Sequence, residues 1–149
     1  ARRQAQPTQG TGYGPGGGDA GELALLDAEQ PAAERLTAFL ADYLRRLQED
    51  RPFRDLIVVS TLVAPRAMPL ESGLRAKHEG LRPWTERIDR ALEECEDILR
   101  ASRDASRFMI MTVIHGAALI AAVSPAELPG SEESRTIAES VVDGLLRPR

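Results

Sequence analysis

Residues 108–123, FMIMTVIHGAALIAAV, form sixteen positions without a charge, and they decide how the rest of the chain must fold. A helix that is apolar on every side has to be buried on every side, whereas a surface helix carries a charged face. Two arrangements satisfy this requirement. Either the helix is the centre of one domain, or one face packs inside the subunit and the other against a second copy. Small residues such as Gly116, Ala117 and Ala121 favour the second arrangement, because another helix can approach them closely.

Composition excludes several classes of protein. The uncharged stretch is shorter than the roughly 20 apolar residues that cross a bilayer, so we expect no membrane span. The chain is 42% hydrophobic and 28% charged, as ordinary globular domains are. Its net charge of -4 argues against a nucleic-acid-binding surface on this domain, because such surfaces are basic. The single cysteine, Cys95, excludes an intrachain disulfide and favours a cytoplasmic location.

The domain boundary is predicted between residues 21 and 22. Residues 1–21 contain seven of the twelve glycines and no apolar cluster, so they cannot bury enough surface to offset chain entropy. We therefore expect a flexible Gly-rich leader or linker there. Residues 22–149 are expected to form one helical regulatory and dimerisation domain.

Apolar spacing predicts that this domain is all-α. After Pro31, apolar residues recur at spacings of three and four as far as residue 47, which indicates an amphipathic helix. The run 54–63 is rich in β-branched residues but has no partner strand, so a helix is expected there too. Residues 65–80 are predicted to be a connection of weak regularity, with a helix over residues 71–79 as an alternative, and Pro83 to begin the next helix. Asp104 is expected to cap the central helix. The prediction is a bundle of about six helices.

Four stretches resemble the C-terminal ligand-binding and dimerisation domain of TetR-type transcriptional regulators. AAERL at 32–36, leading into LADYL at 40–44, is similar to the first helix of that domain, and RPFRDLI at 51–57 to the break that follows. CEDILR at 95–100 and DASRF at 104–108 resemble the turn into its penultimate helix. TIAESVVDGLLR at 136–147 resembles the closing helix. The likeness covers residue 22 to the end. The helix-turn-helix DNA reader of the family has no counterpart in residues 1–21.

The resemblance implies the effector-binding and dimerisation domain of a repressor that senses a mainly hydrophobic small molecule. It implies a homodimer in which the last two helices of each subunit form a four-helix bundle. DNA would be bound only through an N-terminal helix-turn-helix that this chain lacks. The residues expected at the dimer interface are Ala117, Ala121, Ile137, Val141 and Leu145.

His115 is the one titratable group in the central helix, so it is the candidate polar anchor of an apolar pocket. We expect that pocket between the helix of residues 84–99 and the central helix. The residues expected to line it are Trp84, Ile88, Phe108, Met111 and His115. A core histidine bonded to a neighbour, and a plain core tryptophan, are the structural alternatives.

Catalysis is poorly supported by the sequence. It has no nucleophile elbow, P-loop, dinucleotide-binding fingerprint or zinc-protease motif, and we expect no enzyme activity, no cofactor and no metal. The main alternative function is a stand-alone helical dimerisation or interaction protein without a ligand. A small helical enzyme that uses His115 is the weakest interpretation.

Overall fold

A computed structural model describes residues 19–148, without the side chains of Asp19, Ala20 and Glu22. Residues 1–18 of the predicted leader lie outside this range. Residues 19–21 already belong to the first helix, so helical structure begins slightly before the predicted boundary.

The described chain is all-α, as the sequence predicts. Its helices are α1 (Asp19–Leu26), α2 (Ala32–Glu49), α3 (Arg51–Val58), α4 (Ala64–Ala67), α5 (Leu70–Glu94), α6 (Arg103–Val123) and α7 (Ser131–Leu145). A π-helical segment, Val59–Val63, joins α3 directly to α4. Residues 51–67 are therefore one continuous helical rod, and the bundle has six rods. The prediction of a helix rather than a strand over 54–63 is confirmed.

Helix α2 lies at the centre of the bundle, and the other long helices pack around it. Its predicted apolar stripe is fully buried and consists of Leu36, Phe39, Leu40, Tyr43, Leu44 and Leu47. Arg35, which lies off that stripe, is buried as well. Its guanidinium donates to the carbonyl oxygen of Leu26 at 2.8 Å and pairs with Glu94, so it joins α1 to α2 and α5.

Four aromatic rings hold α2, α3 and α5 together. Trp84 meets Phe39 edge-on at 5.7 Å between ring centroids and meets Tyr43 edge-on at 5.5 Å. Phe53 meets Tyr43 in the same way at 6.0 Å. The Tyr43 hydroxyl donates to the carbonyl oxygen of Ile114 at 3.0 Å, which adds α6 to the cluster. Edge-to-face pairs of this kind stabilise a core beyond the area that they bury.

Helix α6 is buried on one side only, which excludes the arrangement in which one subunit encloses it and leaves the favoured one, in which its other face packs against a second copy, as a prediction. Its inner side packs on the core through Ile110, Ile114, Ala117, Ala118 and Ala121. Its outer side exposes large apolar side chains, which are Phe108, Met109, Leu119, Ile120 and Val123. We call these five residues the α6 face. Arg103–Val123 is also long and apolar enough to cross a membrane, a property that core helices of soluble proteins share.

Two predicted helix starts are corrected. Pro83 does not begin a helix, because α5 runs through it without interruption from Leu70 to Glu94. Proline leaves the carbonyl four residues earlier without its usual donor, and residues 79 and 80 are exposed there, so the helix continues where the missing bond lies on its outer surface. The N-cap of α6 is Ser102, whose hydroxyl accepts from the backbone N–H of Ala105 at 3.2 Å. Asp104 lies one position inside the helix, in its first turn.

The start of α5 depends on Gly73. A β-carbon at this position would lie 2.0 Å from the carbonyl oxygen of Pro65. We therefore expect Gly73→Ala to lower the free energy of unfolding by about 1–3 kcal/mol, the usual cost of overpacking. Gly80→Ala is the matched control on the same helix, since nothing lies within 4 Å of a β-carbon there.

Gly80→Ala should instead stabilise the protein by about 0.5–1 kcal/mol, because glycine weakens a helix interior relative to alanine. Urea unfolding followed by circular dichroism measures both changes. Equal stability of the two variants would show that α4 and α5 do not approach as closely as the structure places them.

Candidate functional site

A partly enclosed cavity of about 170 Å³ lies where α3 and the π segment meet α2, α5 and α6. We call it the inner cavity. Its walls are made by Tyr43, Leu56, Ile57, Ser60, Thr61, Ala76, Lys77, Gly80, Leu81, Trp84 and Ile114. Most of these groups are apolar, and the polar ones lie at separate points around the wall. An apolar cavity with a few polar groups is the usual form of a small-molecule site.

The π segment supplies one of the buried polar residues in the wall of the inner cavity. Such wide helical turns occur mostly as single turns and frequently at functional sites. Ser60 uses its hydroxyl within the segment, where it donates to the carbonyl oxygen of Ile57 at 3.3 Å. Thr61 is buried, and its hydroxyl makes no hydrogen bond to another described residue. The Thr61 hydroxyl is therefore available to a molecule in the inner cavity.

A second depression of about 270 Å³, which we call the outer groove, lies between α5 and α6. It is lined by Leu74, Lys77, His78, Leu81, Thr85, Met111 and His115. Lys77 and Leu81 line both spaces, so the groove and the inner cavity adjoin across these two side chains.

His115, which lines the outer groove, has a ring nitrogen without a hydrogen-bond partner. Its Nε2 atom is enclosed and has no hydrogen-bond partner among the described residues. Burial lowers the pKa of the His115 imidazole, and the positive charge of Lys77 lowers it further. The imidazole is consequently held in its neutral form near pH 7. The alternative of a core histidine bonded to a protein neighbour does not describe this geometry.

The five residues predicted to line a pocket are divided among three environments. Trp84, which is 4% exposed, lines the inner cavity as part of the aromatic cluster. Met111 and His115 line the outer groove. Ile88 is enclosed by the core, and Phe108 is 72% exposed on the α6 face. Ile88 and Phe108 therefore line neither space, because helical pitch turns one toward the core and the other toward solvent.

Sequence reasoning missed the residues that complete the site. Thr61 lies in residues 54–63, for which the sequence predicted a helix but no site. Lys77 and Leu81 lie at or near a stretch predicted to be an irregular connection. The uninterrupted helix through Pro83 is what places Lys77, Leu81 and Trp84 along one side of α5. One signal was present, since Lys77 is the only lysine beside eighteen arginines.

The predicted dimer residues need a similar correction. Ala117, Ala121 and Leu145 are buried inside the subunit, so they are not available to a partner. Ile137 is partly exposed on α7 and Val141 is half-buried. Helix α7 packs chiefly against α2. The outward apolar surface of α6 consists of the α6 face instead.

Two other kinds of chemistry have little support within residues 19–148. No group of three or more histidine, cysteine, aspartate or glutamate residues there could hold a metal ion. Cys95 is buried, and burial raises the pKa of its thiol, which disfavours the reactive thiolate.

No protein-family model, no curated protein and no solved structure matches this chain.

Proposed function

We propose that this chain is the effector-binding and dimerisation domain of a TetR-like transcriptional repressor that senses a mainly hydrophobic small molecule. The observation that carries the proposal is the inner cavity, which adjoins the π segment and is walled by four different helices. Of the four stretches of sequence resemblance, the first lies on α2, the third spans the turn into α6 and the last lies on α7, whereas RPFRDLI, which was likened to a break, forms α3. Any contact with DNA would be made by a helix-turn-helix outside this chain.

Regulation in this proposal acts through the helices around the inner cavity. An effector shifts a conformational equilibrium only by binding one state more tightly than the other. The Tyr43 hydroxyl bonded to the Ile114 carbonyl links α2 to α6 at the cavity wall. An effector that displaces this contact, or that bonds to Thr61, would change how α6 and the π segment lie on α2. A homodimer formed through the α6 face would pass that change to its partner.

A second function, a stand-alone helical interaction protein without a ligand, is favoured by a different observation. The α6 face is apolar and exposed along nearly the whole helix, and large apolar patches on soluble proteins commonly mark interfaces. This function needs no cavity. The two proposals therefore differ in whether small molecules bind inside the subunit.

Hydrophobic small molecules are expected to raise the melting temperature of this protein, because a ligand that binds only the folded state stabilises it by mass action. A panel of short alcohols, aromatic hydrocarbons and fatty acids, measured by differential scanning fluorimetry, provides the test. The matched variant is Gly80→Leu, which adds a leucine side chain at the wall of the inner cavity, at an α5 position where a β-carbon has no other atom within 4 Å.

Gly80→Leu should remain folded and show a smaller rise in melting temperature with the panel than the unaltered protein. Gly144→Leu is the control, since it adds the same side chain at an exposed glycine of α7 with nothing within 4 Å. It should keep the full response. A panel without any effect on the unaltered protein would favour the interaction protein, and an unchanged response in Gly80→Leu would exclude the inner cavity as the site.

A further inference from the structure

The outer groove differs from the inner cavity in its charge. Its polar side chains come from two helices, with Lys77, His78 and Thr85 on α5 and His115 on α6. No carboxylate lines the groove or the inner cavity in the described part of the chain. The groove therefore carries one permanent positive charge that no wall residue neutralises.

Of the lysine and arginine residues of α5, only Arg75 and Lys77 form no ion pair within residues 19–148, and Arg75 is exposed whereas Lys77 is half-buried. Arg82 faces Glu86 at 3.6 Å, and Arg87 bonds to Asp27 at 2.9 Å. Lys77 is half-buried, and it forms no ion pair with any residue between 19 and 148. Its ammonium is therefore not neutralised by the protein and can pair with an anion in the groove.

His115 adds a second group that an anion would satisfy. Its neutral ring can donate one hydrogen bond, and Nε2 has no partner among the described residues. Met111, Leu74 and Leu81 supply apolar walls on both sides of these two polar groups. Leu81 also lines the inner cavity, whose wall is mainly apolar. The polar end of a ligand thus has its place in the groove and an apolar tail has its place in the cavity.

We propose that the site binds an amphipathic monocarboxylate, with its carboxylate between Lys77 and His115 and its apolar chain directed into the inner cavity. This inference rests on the proposed function, because it assigns the ligand class of the same site. A single ammonium beside a neutral imidazole matches one negative charge. The dianion of a phosphate monoester would leave one charge without a partner in the groove.

Three molecules with the same chain length separate charge from hydrophobicity. They are octanoate, octanamide and octylammonium, each measured by isothermal titration calorimetry at pH 7.5 below its aggregation concentration. Octanoate is expected to bind about tenfold or more tightly than octanamide, since only the carboxylate can form a charge-assisted contact with Lys77. Octylammonium should bind most weakly, because Lys77 repels it.

The variant Lys77→Met keeps an unbranched side chain and removes the charge. It should lower the affinity for octanoate about tenfold and leave the affinity for octanamide unchanged. Arg75→Met is the control, since it removes a charge from an exposed position of α5 that lines neither space. It should bind octanoate as the unaltered protein does.

The role of His115 is tested by pH. The described titratable groups that face the groove are Lys77 and His78 from α5 and His115 from α6. A bound carboxylate favours the protonated ring, so octanoate should bind more tightly as the pH falls from 8 to 6, where the ligand stays ionised. His115→Gln keeps an N–H donor but cannot titrate, so it should bind octanoate without this pH dependence. His78→Gln should retain it.

Equal affinities for octanoate and octanamide, or an unchanged affinity for octanoate in Lys77→Met, would overturn the proposal of a monocarboxylate ligand. The proposal of a hydrophobic site would still stand. Tighter binding of octylammonium would overturn the monocarboxylate proposal as well. No binding of any of the three, together with no response to the hydrophobic panel, would remove both this inference and the proposed function.

Discussion

Replacing Trp84 with alanine is expected to lower the free energy of unfolding by about 3–5 kcal/mol. Trp84 is 4% exposed and packs edge-on against Phe39 and Tyr43 in the aromatic cluster. Its removal would leave a void that joins the inner cavity, since the indole forms part of that wall. The whole free energy of unfolding of such a domain is about 5–15 kcal/mol, so the variant should be close to unfolding at ordinary temperatures.

Guanidinium unfolding monitored by circular dichroism measures the loss. Trp84→Phe is the matched variant, because it keeps an aromatic ring against Phe39 and Tyr43 and should cost clearly less. Leu70→Ala is the surface control, since Leu70 is 76% exposed at the start of α5 and should change stability little. A loss of less than about 1 kcal/mol in Trp84→Ala would show that the indole is not part of the core.

The central helix could be predicted from the sequence because its two faces differ. Along α2 the apolar residues recur at helical spacing, with charged residues between them, so the buried side is fixed without knowledge of the neighbours. Every predicted member of that stripe is buried. Arg35 departs from the pattern, because its burial depends on Leu26 and Glu94, which come from other helices.

The orientation of α6 could not be obtained in this way. When every side of a helix is apolar, spacing no longer distinguishes the core side from the outer side. The small residues illustrate the difficulty, since Gly116 is exposed while Ala117, one position later, is buried. Successive residues of a helix point about 100° apart, and a rotation of α6 by this angle separates the predicted interface residues from the exposed α6 face.

The candidate site was only partly predictable, for a related reason. Trp84, Met111 and His115 were identified because they are distinctive residues on predicted helices. Thr61 and Lys77 depend on features that periodicity does not report, namely a π-helical turn and a proline inside a continuous helix. The adjoining of the inner cavity and the outer groove follows from tertiary packing alone.

The largest expected change in assembly comes from Ile120→Glu. We expect the unaltered protein to be a dimer at micromolar concentration, because the α6 face leaves five large apolar side chains in water on one helix. Ile120 is 40% exposed in the single subunit, so a glutamate there remains solvated and the fold is retained. In a dimer the same carboxylate would be buried without a partner, which costs several kcal/mol. The variant should therefore be a folded monomer.

Light scattering coupled to size-exclusion chromatography gives the mass, and circular dichroism gives the helix content. Ala126→Glu adds the same charge at an exposed position just beyond α6 and should leave the dimer intact. Ala121→Glu, one residue from Ile120, should instead reduce the helix content, because Ala121 is buried in the core. If Ala121→Glu unfolds and Ile120→Glu is a folded monomer, then one side of α6 packs on the core and the opposite side on the partner. A monomeric unaltered protein, or a dimeric Ile120→Glu, would show that the α6 face does not hold a second copy.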